Sequence, residues 1–466
     1  MCTAGTSIIV FRIINLTLVG LCPVTYFGLI GNIFDCPGYT TMAPAARVSL
    51  NKFLRTARKA LLAPPAQRPN PLVFVIGNES ADLDSLCSSI LLAYFCTYRT
   101  TPPTLHIPLS NLPQADLALR PELTAVLKPA GLHANDLITL DGLPKDDHVT
   151  PENTQWQLVD HNSLTGPLAA RGFGGPERII GCIDHHDDEG VVPPTVKPRM
   201  IEKSGSCMSL VVEYCKPVWE ELSRLESAED EEGTTNSREE WESQLAHLAL
   251  APILIDTTNL TSKDKTTEWD TGAVEFLEGR LTQESQKTSV ASGGGQEGYD
   301  RTAYFNHITS LKEEIAGLSY RDILRKDYKR WEDGGLAVGI STVVRGLEYL
   351  LTEIGDQKEF TEALRVWAKE QELDIAAVMT VSNPDGKFTR ELLIWAFNER
   401  AVKVVKRFVE KHGEEGLQLQ TWGGGKLDSD DGKGEWVRCW TQGRVDKSRK
   451  QVAPMLRDAM KEAARL

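Results

Sequence analysis

PLVFVIGNESADLDSLCSSILLAYFCTY, residues 71–98, joins two periodic patterns through one polar turn. Residues 71–77 are apolar and rich in β-branched side chains, which predicts a buried strand. Residues 85–98 carry apolar side chains at helical spacing, among them Leu86, Ile90 and Tyr94. A strand followed closely by a helix is the repeating unit of parallel sheets, so this segment predicts an α/β fold.

The alternation of strand and helix continues through the N-terminal half of the chain. It predicts a parallel sheet covered on both faces, with ligands at the carboxyl ends of the strands. Further strands are predicted at Leu137–Leu140, Gln157–Val159 and Arg178–Ile183, and helices at Cys207–Leu222 and Trp241–Leu254.

A second, smaller α/β domain is predicted in the C-terminal half. Thr282–Gln296 is rich in Ser, Gly and Gln, which is typical of a linker, whereas the acidic segment Ser227–Glu240 predicts a solvated loop. We therefore predict an apolar extension at residues 1–41, a first domain at 42–282, a linker at 283–302 and a second domain at 303–466. Within that second domain we predict a mostly helical Ala303–Trp331, strands at Leu336–Val343, Asp374–Val381 and Glu391–Phe397, and helices at Ala401–Lys411 and Val452–Ala464.

The composition is that of an ordinary globular protein, with 41% hydrophobic and 25% charged residues among 466. The formal net charge of −14 argues against a nucleic-acid partner, because binding a phosphate backbone favours a basic surface. A polyanionic substrate is still compatible if metal ions and a few Lys or Arg side chains make the site locally basic. The nine cysteines contain no CxxC pair, so we expect a reducing, cytoplasmic environment without disulfides or structural zinc.

The N-terminal residues 1–41 are treated as an extension outside the fold. Residues 7–34 are strongly apolar, with Arg12 as their only charge, but Gly and Pro residues interrupt them. A second methionine, Met42, precedes a plausible start of the folded part. The alternatives are a membrane anchor and a mitochondrial signal, and otherwise no stable membrane association is expected.

Carboxylate and imidazole side chains follow four apolar segments of the chain. Taken singly, each has a plain structural interpretation, such as a helix cap for Asp82 or Asp84, a turn at Asp160 and a helix end at Asp256. Together they form an ordered series that we place at strand ends, where they would share one site. The four clusters are residues 77–85, 158–162, 181–187 and 253–259.

These side chains are suited to hard divalent cations. Carboxylates and imidazoles favour Mg²⁺, Mn²⁺ or Co²⁺ over metals that prefer thiolates. One Asp can bridge two such ions about 3.5–4 Å apart, which is the spacing typical of two-metal phosphoryl chemistry. We therefore expect two or more divalent ions in one site.

Four short motifs resemble those of the DHH phosphoesterase superfamily. They are Asp82-Leu83-Asp84-Ser85, Val159-Asp160-His161-Asn162, Ile183-Asp184-His185-His186 and Leu254-Ile255-Asp256-Thr257. The C-terminal half is similar to the DHHA2 domain of family II pyrophosphatases, prune-type proteins and fungal exopolyphosphatases. Its marks are Asp327-Tyr328-Lys329 and Ser448-Arg449-Lys450. The resemblance runs from about Leu72 to the C-terminus and implies a cleft between the two domains as the active site.

The resemblance also implies roles for individual residues. His186 is expected to face the phosphate or the leaving group, in acid catalysis or charge stabilisation, and Asp160 is expected to bridge the metals. Lys329, Arg449 and Lys450 are expected to hold phosphate oxygens from the second domain. The implied metal ligands are Asp82, Asp84, Asp160, His185 and Asp256, with Asn78 as a further candidate.

Asn78 is a departure that bears on the substrate. Family II pyrophosphatases carry a His at this place, whereas fungal exopolyphosphatases resemble this chain in its Asn and in Gly77-Asn78-Glu79-Ser80-Ala81-Asp82. The implied function is therefore release of orthophosphate from the end of inorganic polyphosphate, by a protein that is expected to be monomeric. The alternative is a family II-type pyrophosphatase or a prune-like enzyme acting on short polyphosphates and nucleotides.

Two other interpretations are less well supported. Superfamily phosphodiesterases with a DHHA1 domain carry a His after a glycine run, and this chain has Lys426 there. A catalytically silent phosphate-binding protein is disfavoured because every acidic ligand position is intact.

Overall fold

The computed structural model describes residues 46–99, 104–145, 148–227, 237–291, 299–430, 432 and 434–463, with side chains omitted at 46, 282–291 and 385. Residues 42–466 form one unit by their mutual contacts. The extension predicted at residues 1–41 lies outside the described residues. None of the described helices is both long and apolar enough to span a bilayer.

An N-terminal lobe, residues 46–312, is built around a parallel five-stranded sheet of order β3-β2-β4-β5-β6. A separate two-residue parallel pairing joins β1 to β7. The strands are β1 (Ala46–Arg47), β2 (Leu72–Ile76), β3 (His106–Leu109), β4 (Thr154–Val159), β5 (Ile179–Asp184), β6 (Arg199–Ile201) and β7 (Glu226–Ser227). The helices are α1 (Leu50–Leu61), α2 (Leu83–Tyr98), α3 (Pro121–Leu127), α4 (Gly166–Ala170), α5 (Cys207–Leu222), α6 (Arg238–Asp256), α7 (Glu268–Ala291) and α8 (Arg301–Lys312).

Both faces of this sheet are covered, as the sequence predicts. Every residue of β2 is buried, and successive side chains point to opposite faces. Val75 packs with helices α2, α5 and α6 on one face. Phe74 packs with Ala57 and Leu61 of α1 on the other. A strand buried on both faces has no polar side, which explains the continuous apolar run of residues 72–76.

A C-terminal lobe, residues 315–463, holds a second sheet of order β12-β14-β11-β10-β9-β8, with β13 paired to β14. Its only parallel pair among the described strands is β9 with β10. Apolar clusters cover its two faces. The elements are α9 (Tyr320–Lys326), β8 (Tyr328–Asp333), β9 (Leu336–Val343), α10 (Leu347–Tyr349), α11 (Gln357–Glu370), β10 (Ile375–Thr380), β11 (Glu391–Ala396), α12 (Glu399–His412), β12 (Leu419–Thr421), β13 (Ser429–Asp430), β14 (Trp436–Gln442) and α13 (Arg449–Ala463).

Three predicted elements need correction. Leu137–Leu140 is not a strand: Thr139 forms one isolated bridge with Ser110, and a 3₁₀ turn follows at Leu140–Gly142. The mostly helical prediction for Ala303–Trp331 misses strand β8. Helix α6 begins at Arg238, so the end of the predicted loop Ser227–Glu240 is helical, while residues 228–236 lie outside the described residues.

The predicted linker at 283–302 overlaps regular structure at both ends. Helix α7 continues to Ala291 and α8 begins at Arg301, whereas residues 292–298 lie outside the described residues. Helix α8 packs on the N-terminal lobe through Ile308, and the apolar cluster of the C-terminal lobe includes Ile315. The domain limits at 282 and 303 stay predictions.

The buried Arg120 ties the two lobes together. Its guanidinium donates to the carbonyls of Ser80 and Ala81 at 2.8 Å in the N-terminal lobe, and to Lys326 O at 2.7 Å in the C-terminal lobe. Lys326 in turn contacts the Glu122 carboxylate at 3.2 Å. One cation therefore fixes both the loop before helix α2 and the position of helix α9.

We expect Arg120→Ala to lower the free energy of unfolding by about 2–4 kcal/mol, because four carbonyls, two of them in buried hydrogen bonds, lose a charged donor. Thermal and urea unfolding followed by tryptophan fluorescence measure this loss. Arg178→Ala is the matched control, since Arg178 donates to Glu152 O in an exposed position and should change the free energy by less than about 1 kcal/mol. Equal effects of both substitutions would contradict the role of Arg120 as a tie between the lobes.

Candidate metal and phosphate site

Three neighbouring strands of the N-terminal sheet end at the site. Strand β4 lies between β2 and β5, so the residues that follow these strands meet at one edge. Asn78 to Asp84 follow β2, Asp160 follows β4, and Asp184 is the last residue of β5. The sequence analysis placed these clusters at strand ends, and for three of the four clusters this is confirmed.

The fourth cluster differs. Asp256 is the last residue of helix α6, not the end of a strand. The apolar residues before it are helical because α6 is buried along most of its length between α2, α5 and α7. The plain interpretation of Asp256 as a helix end is therefore correct for its backbone. Its charge still acts on the site, because it raises the pKa values of Asp82 and Asp84.

Asp160 lies at the centre of the site. Its backbone has a left-handed φ of 60°, which is uncommon for a residue other than glycine and is enriched for Asp and Asn. Its Oδ2 accepts from Ser85 Oγ at 2.6 Å and from Asn78 Nδ2 at 2.7 Å. Its Oδ1 lies 3.1 Å from His185 Nε2. The carboxylate is fully oriented by neighbours that leave Oδ1 directed at the two histidines.

His185 is held so that Nε2 faces Asp160. Its Nδ1 lies 3.1 Å from the carbonyl of Ser204, which only accepts, so Nδ1 carries a proton. In neutral His185, Nε2 is then an acceptor that faces another acceptor, Asp160 Oδ1. A cation between these two atoms relieves their repulsion, and a His nitrogen opposite a protonated partner nitrogen is the usual arrangement of a metal ligand.

His186 turns in a different direction. Its Nδ1 donates to Asp184 Oδ1 at 2.7 Å, which leaves Nε2 for another partner. Burial and the charge of Lys450 lower the pKa of His186 to about 3. Asp184 also accepts from Asn162 Nδ2 at 2.6 Å and from the backbone of His185. This buried carboxylate thus orients the His186 ring and holds the backbone of His185.

Asp82 and Asp84 lie at the start of helix α2. Asp82 caps the helix by accepting from Ser85 N, so its plain interpretation as a cap is correct. Asp84 accepts from Ser206 Oγ and from the backbone N–H groups of Cys207 and Met208 at 2.7–2.9 Å. Its Oδ2 lies 3.9 Å from His185 Nε2.

Buried negative charge accumulates at the site. Burial, together with Asp160 and Asp256, raises the pKa of Asp82 to about 6 and raises that of Asp84 well above its usual range. Burial also raises the pKa of Asp160, but His185 and His186, whose ring nitrogens lie 3.1 and 3.7 Å from its Oδ1, outweigh burial and lower the pKa overall. Neighbouring carboxylates repel one another when they are ionised, and a bound cation offsets this repulsion and favours their charged form.

In the part of the chain that the structure describes, one group of side chains offers ligand atoms within 4.8 Å of one another: Asp160, His185 and His186. Asp84 approaches this group through His185, and Asp82 and Asp256 act on it through their charges. The side chain of Asn78 is engaged in hydrogen bonds with Asp160 and Ser80, so it is not positioned as a ligand. Its Nδ2 donates to Asp160, and its Oδ1 accepts from Ser80 N at 2.9 Å.

The C-terminal lobe contributes cations to the same place. Lys450 Nζ lies 2.6 Å from His185 Nε2, across 265 residues of sequence. Arg449 donates to Ser80 Oγ in the N-terminal lobe and to Asp327 Oδ1, both at 2.6 Å. Burial and Arg449 lower the pKa of Lys329, which also interacts with the charges of Asp160 and Asp82. The structure therefore brings together all three cations that the sequence analysis named.

Two family models match the two halves of the chain. The model of the DHH family, N-terminal domain, matches residues 72–253, and the model of the DHHA2 domain matches residues 306–459. A Schizosaccharomyces pombe protein provisionally named exopolyphosphatase is 32% identical over 422 residues, which cover 90% of this chain and all of that protein. The chain belongs to the DHH family.

Other proteins are similar to this chain over most of its length. The exopolyphosphatase PRUNE1 of Homo sapiens is 25% identical over 88% of this chain and 79% of that protein. Among solved structures, a Methanococcus jannaschii protein provisionally described as a family II inorganic pyrophosphatase aligns over 84% of this chain and 99% of that one, at 21% identity and a TM-score of 0.48.

Several residues of this DHH protein contribute to the site without having been singled out from the sequence. Asp184 belongs to the quoted motif, but its hydrogen bonds to the His186 ring and to the His185 backbone appear only in three dimensions. Ser85 was quoted only as the last residue of the first motif. Lys265 and Lys312 interact with the charge of Asp256, and no motif marks them. Burial lowers the pKa of Lys265, whereas Asp256 and Asp82 outweigh burial and raise the pKa of Lys312.

Proposed function

We propose that this protein is an exopolyphosphatase, which hydrolyses the terminal phosphoanhydride bond of inorganic polyphosphate and releases orthophosphate. One observation carries the proposal: carboxylates and histidines of the DHH domain meet Arg449 and Lys450 of the DHHA2 domain at one place. Acidic groups alone would repel a polyanion, and cations alone would bind it without hydrolysis. Their combination suits both binding and reaction of a phosphoanhydride.

The proposed metal ligands are Asp82, Asp84, Asp160, His185 and Asp256. The donor set fits divalent ions such as Mg²⁺, Mn²⁺ or Co²⁺, because it contains carboxylates and an imidazole and no thiolate. The acceptor pair formed by His185 Nε2 and Asp160 Oδ1 fits a cation as well. When bound, two such ions neutralise phosphate charge and lower the pKa of a water to near neutrality.

The residues around these ligands prepare the site for reaction. Ser85 and Asn78 hold Asp160 by hydrogen bonds to Oδ2, which leaves Oδ1 free for its ligand role. We therefore assign Asn78 to orienting Asp160, and the earlier expectation that it ligates a metal stays unsupported. Asp184 holds His186 so that Nε2 is directed away from it, and we propose that this nitrogen contacts the phosphate or the leaving oxygen.

The cations of the DHHA2 domain are proposed to hold phosphate oxygens. The planar fork of Arg449 is suited to two oxygens of one phosphate, which would replace part of its present hydrogen bonds to Asp327 and Ser80. Lys450 and Lys329 add point charges at the same end of the cleft. Lys450 has to leave His185 Nε2 when that nitrogen binds a metal, and a substrate phosphate is a suitable new partner for its ammonium group.

The alternative substrates are diphosphate and short polyphosphates or nucleotides. The experiment compares orthophosphate release from long-chain polyphosphate, tripolyphosphate and diphosphate at equal terminal-group concentration, with Mg²⁺, Mn²⁺ or Co²⁺ added after treatment with EDTA. We expect the highest kcat/KM with long chains, and no activity without a divalent ion. A preference for diphosphate over long chains would favour the pyrophosphatase alternative and overturn the proposal.

The cellular setting is part of the proposal. The described cysteines are all unpaired thiols, namely Cys87, Cys96, Cys182, Cys207, Cys215 and Cys439, which supports a reducing compartment such as the cytoplasm. We further propose that the protein is monomeric and binds no nucleic acid. Sedimentation of the purified full chain and fractionation of cells test these points.

A further inference from the structure

Asp270 is a fully buried carboxylate near the start of helix α7. Five donors converge on it. Its Oδ1 accepts from Ser209 Oγ at 2.6 Å and from Ser206 N at 3.2 Å. Its Oδ2 accepts from Gly205 N at 2.9 Å and from the backbone and hydroxyl of Thr267 at 2.7 and 2.8 Å. So many donors around one buried carboxylate satisfy both of its oxygens and fix its position.

The backbone that Asp270 holds, residues 204–208, is a short loop and the first residues of helix α5, and it orients two of the proposed metal ligands. One residue before Gly205, the carbonyl of Ser204 accepts from His185 Nδ1. One residue after it, Ser206 donates through Oγ to Asp84 Oδ1 at 2.9 Å. The next two N–H groups, at Cys207 and Met208, also donate to Asp84. A displacement of this loop would thus move His185 and Asp84 together.

The loop has little room to adjust by itself. A Cβ at Gly205 would lie 2.5 Å from the Thr257 Cγ2 atom and 3.0 Å from Asp270 Oδ2. Glycine is therefore required by the close approach of the loop to Asp270 on one side and to the residue after Asp256 on the other. The contact with Thr257 brings the end of helix α6 into the same packed unit.

We propose that Asp270 is a positioning residue for the metal site, acting through residues 204–208 on His185 and Asp84. The inference rests on the proposed function, since it assigns these two side chains as metal ligands. Groups that orient ligands typically change metal affinity by about 10- to 100-fold when they are replaced. The hydrogen bonds of Asp270 come from residues 205, 206, 209 and 267, not from a proposed ligand, so its effect on the ligands is through geometry.

Asp270→Asn tests this role because it keeps the shape of the side chain and replaces one acceptor oxygen with an NH₂ donor. All five groups around the carboxylate point donors at it. An amide NH₂ in place of either oxygen therefore faces at least one backbone N–H that cannot reverse its direction. On the Oδ1 side this N–H belongs to Ser206, and on the Oδ2 side the N–H groups belong to Gly205 and Thr267.

Glu242→Gln is the matched control in the same lobe. Glu242 is also buried and accepts from Trp219 Nε1 and Ser223 Oγ, both at 2.6 Å. It contacts Arg280 at 3.3 Å and none of the loop residues 204–208 by a hydrogen bond. Its replacement removes a buried, hydrogen-bonded charge with a similar effect on stability, but it should leave His185 and Asp84 in place.

The experiment measures Co²⁺ and Mn²⁺ binding to the purified full chain after removal of metals, by titration calorimetry and by the visible absorption of bound Co²⁺. We expect Asp270→Asn to weaken binding by about tenfold or more and to alter the Co²⁺ spectrum. Glu242→Gln should lower the unfolding temperature while its metal affinity and spectrum match those of the unchanged protein. A purely structural role of Asp270 would lower the unfolding temperature only.

The outcomes are distinguishable. Equal metal affinity and an equal Co²⁺ spectrum for Asp270→Asn and the unchanged protein overturn this inference alone. No metal binding by the unchanged protein overturns the proposed function and this inference together. Should Asp270→Asn fail to fold, Ser209→Ala combined with Thr267→Val removes two side-chain donors and keeps the charge. That variant is expected to bind metal severalfold more weakly, and unchanged affinity in it would again overturn the inference.

Discussion

Asp160→Asn is expected to reduce orthophosphate release from polyphosphate by about 10³-fold or more, which exceeds the cost of losing one stabilising donor. The replacement removes the charge that the proposed bridging ligand contributes. It also turns an acceptor toward His185 Nε2 into either an amide donor or a weaker carbonyl acceptor, at a distance of 3.1 Å. Steady-state assays with long-chain polyphosphate at saturating Mg²⁺ or Mn²⁺ measure the loss.

Asp374→Asn is the control for effects on folding. Asp374 accepts from Ala337 N at 2.8 Å and from Asn398 Nδ2 at 2.7 Å in the C-terminal lobe, in a setting without proposed ligands. It should keep activity within a few-fold. Activity of Asp160→Asn close to that of the unchanged protein, with equal unfolding temperature, would remove Asp160 from the metal site.

His186→Ala is expected to lower kcat by about 10²- to 10⁴-fold, which is the range for loss of a general acid. Burial and Lys450 lower the pKa of His186 to about 3 without substrate, so this role requires that the charge of a bound phosphate raise that pKa and place a proton on Nε2. Asp184 accepts from Nδ1 of this histidine, so Nε2 is left for the phosphate or the leaving oxygen. Because we assign it to the phosphate and not to the metal, the affinity for Mn²⁺ in the absence of substrate should change little. Pre-steady-state phosphate release and Mn²⁺ titration separate the two effects.

The same variant distinguishes two arrangements of the site. Asp160, His185 and His186 form the group that offers ligand atoms within 4.8 Å. If His186 binds a metal itself, His186→Ala weakens Mn²⁺ binding strongly, and its assignment to the leaving group is wrong. His133→Ala serves as the control, since His133 is an exposed residue at a 3₁₀ turn.

The sequence was most informative where periodicity and burial coincide. Residues 72–76 form a strand buried on both faces, so their apolar run is continuous and easily recognised. Strand β8 was missed because it lies at the edge of its sheet and none of its residues is fully buried. Residues 137–140 were mistaken for a strand because a short apolar run does not distinguish a strand from a buried turn.

The site was partly predictable for a similar reason. Asp82, Asp84, Asp160 and His185 follow strands that the pattern revealed, so their shared edge could be inferred. The contact of Lys450 with His185 joins residues 265 positions apart, and only the resemblance to the DHHA2 domain indicated it. Asp270 stands alone near the start of a helix, where an acidic residue is ordinary. Its proposed positioning role rests on five hydrogen bonds, three of them from residues far away in the sequence, which no local pattern connects to it.

The most direct test of the account is the location of bound metal in crystals of the full chain soaked with Mn²⁺, by anomalous scattering. We predict two peaks flanking the Asp160 carboxylate, about 3.5–4 Å apart, with His185, Asp82, Asp84 and Asp256 as their protein ligands. A single peak held only by Asp160, His185 and His186 would contradict the two-ion assignment. Absence of any peak at Asp160, with Mn²⁺ bound elsewhere, would contradict the metal site itself.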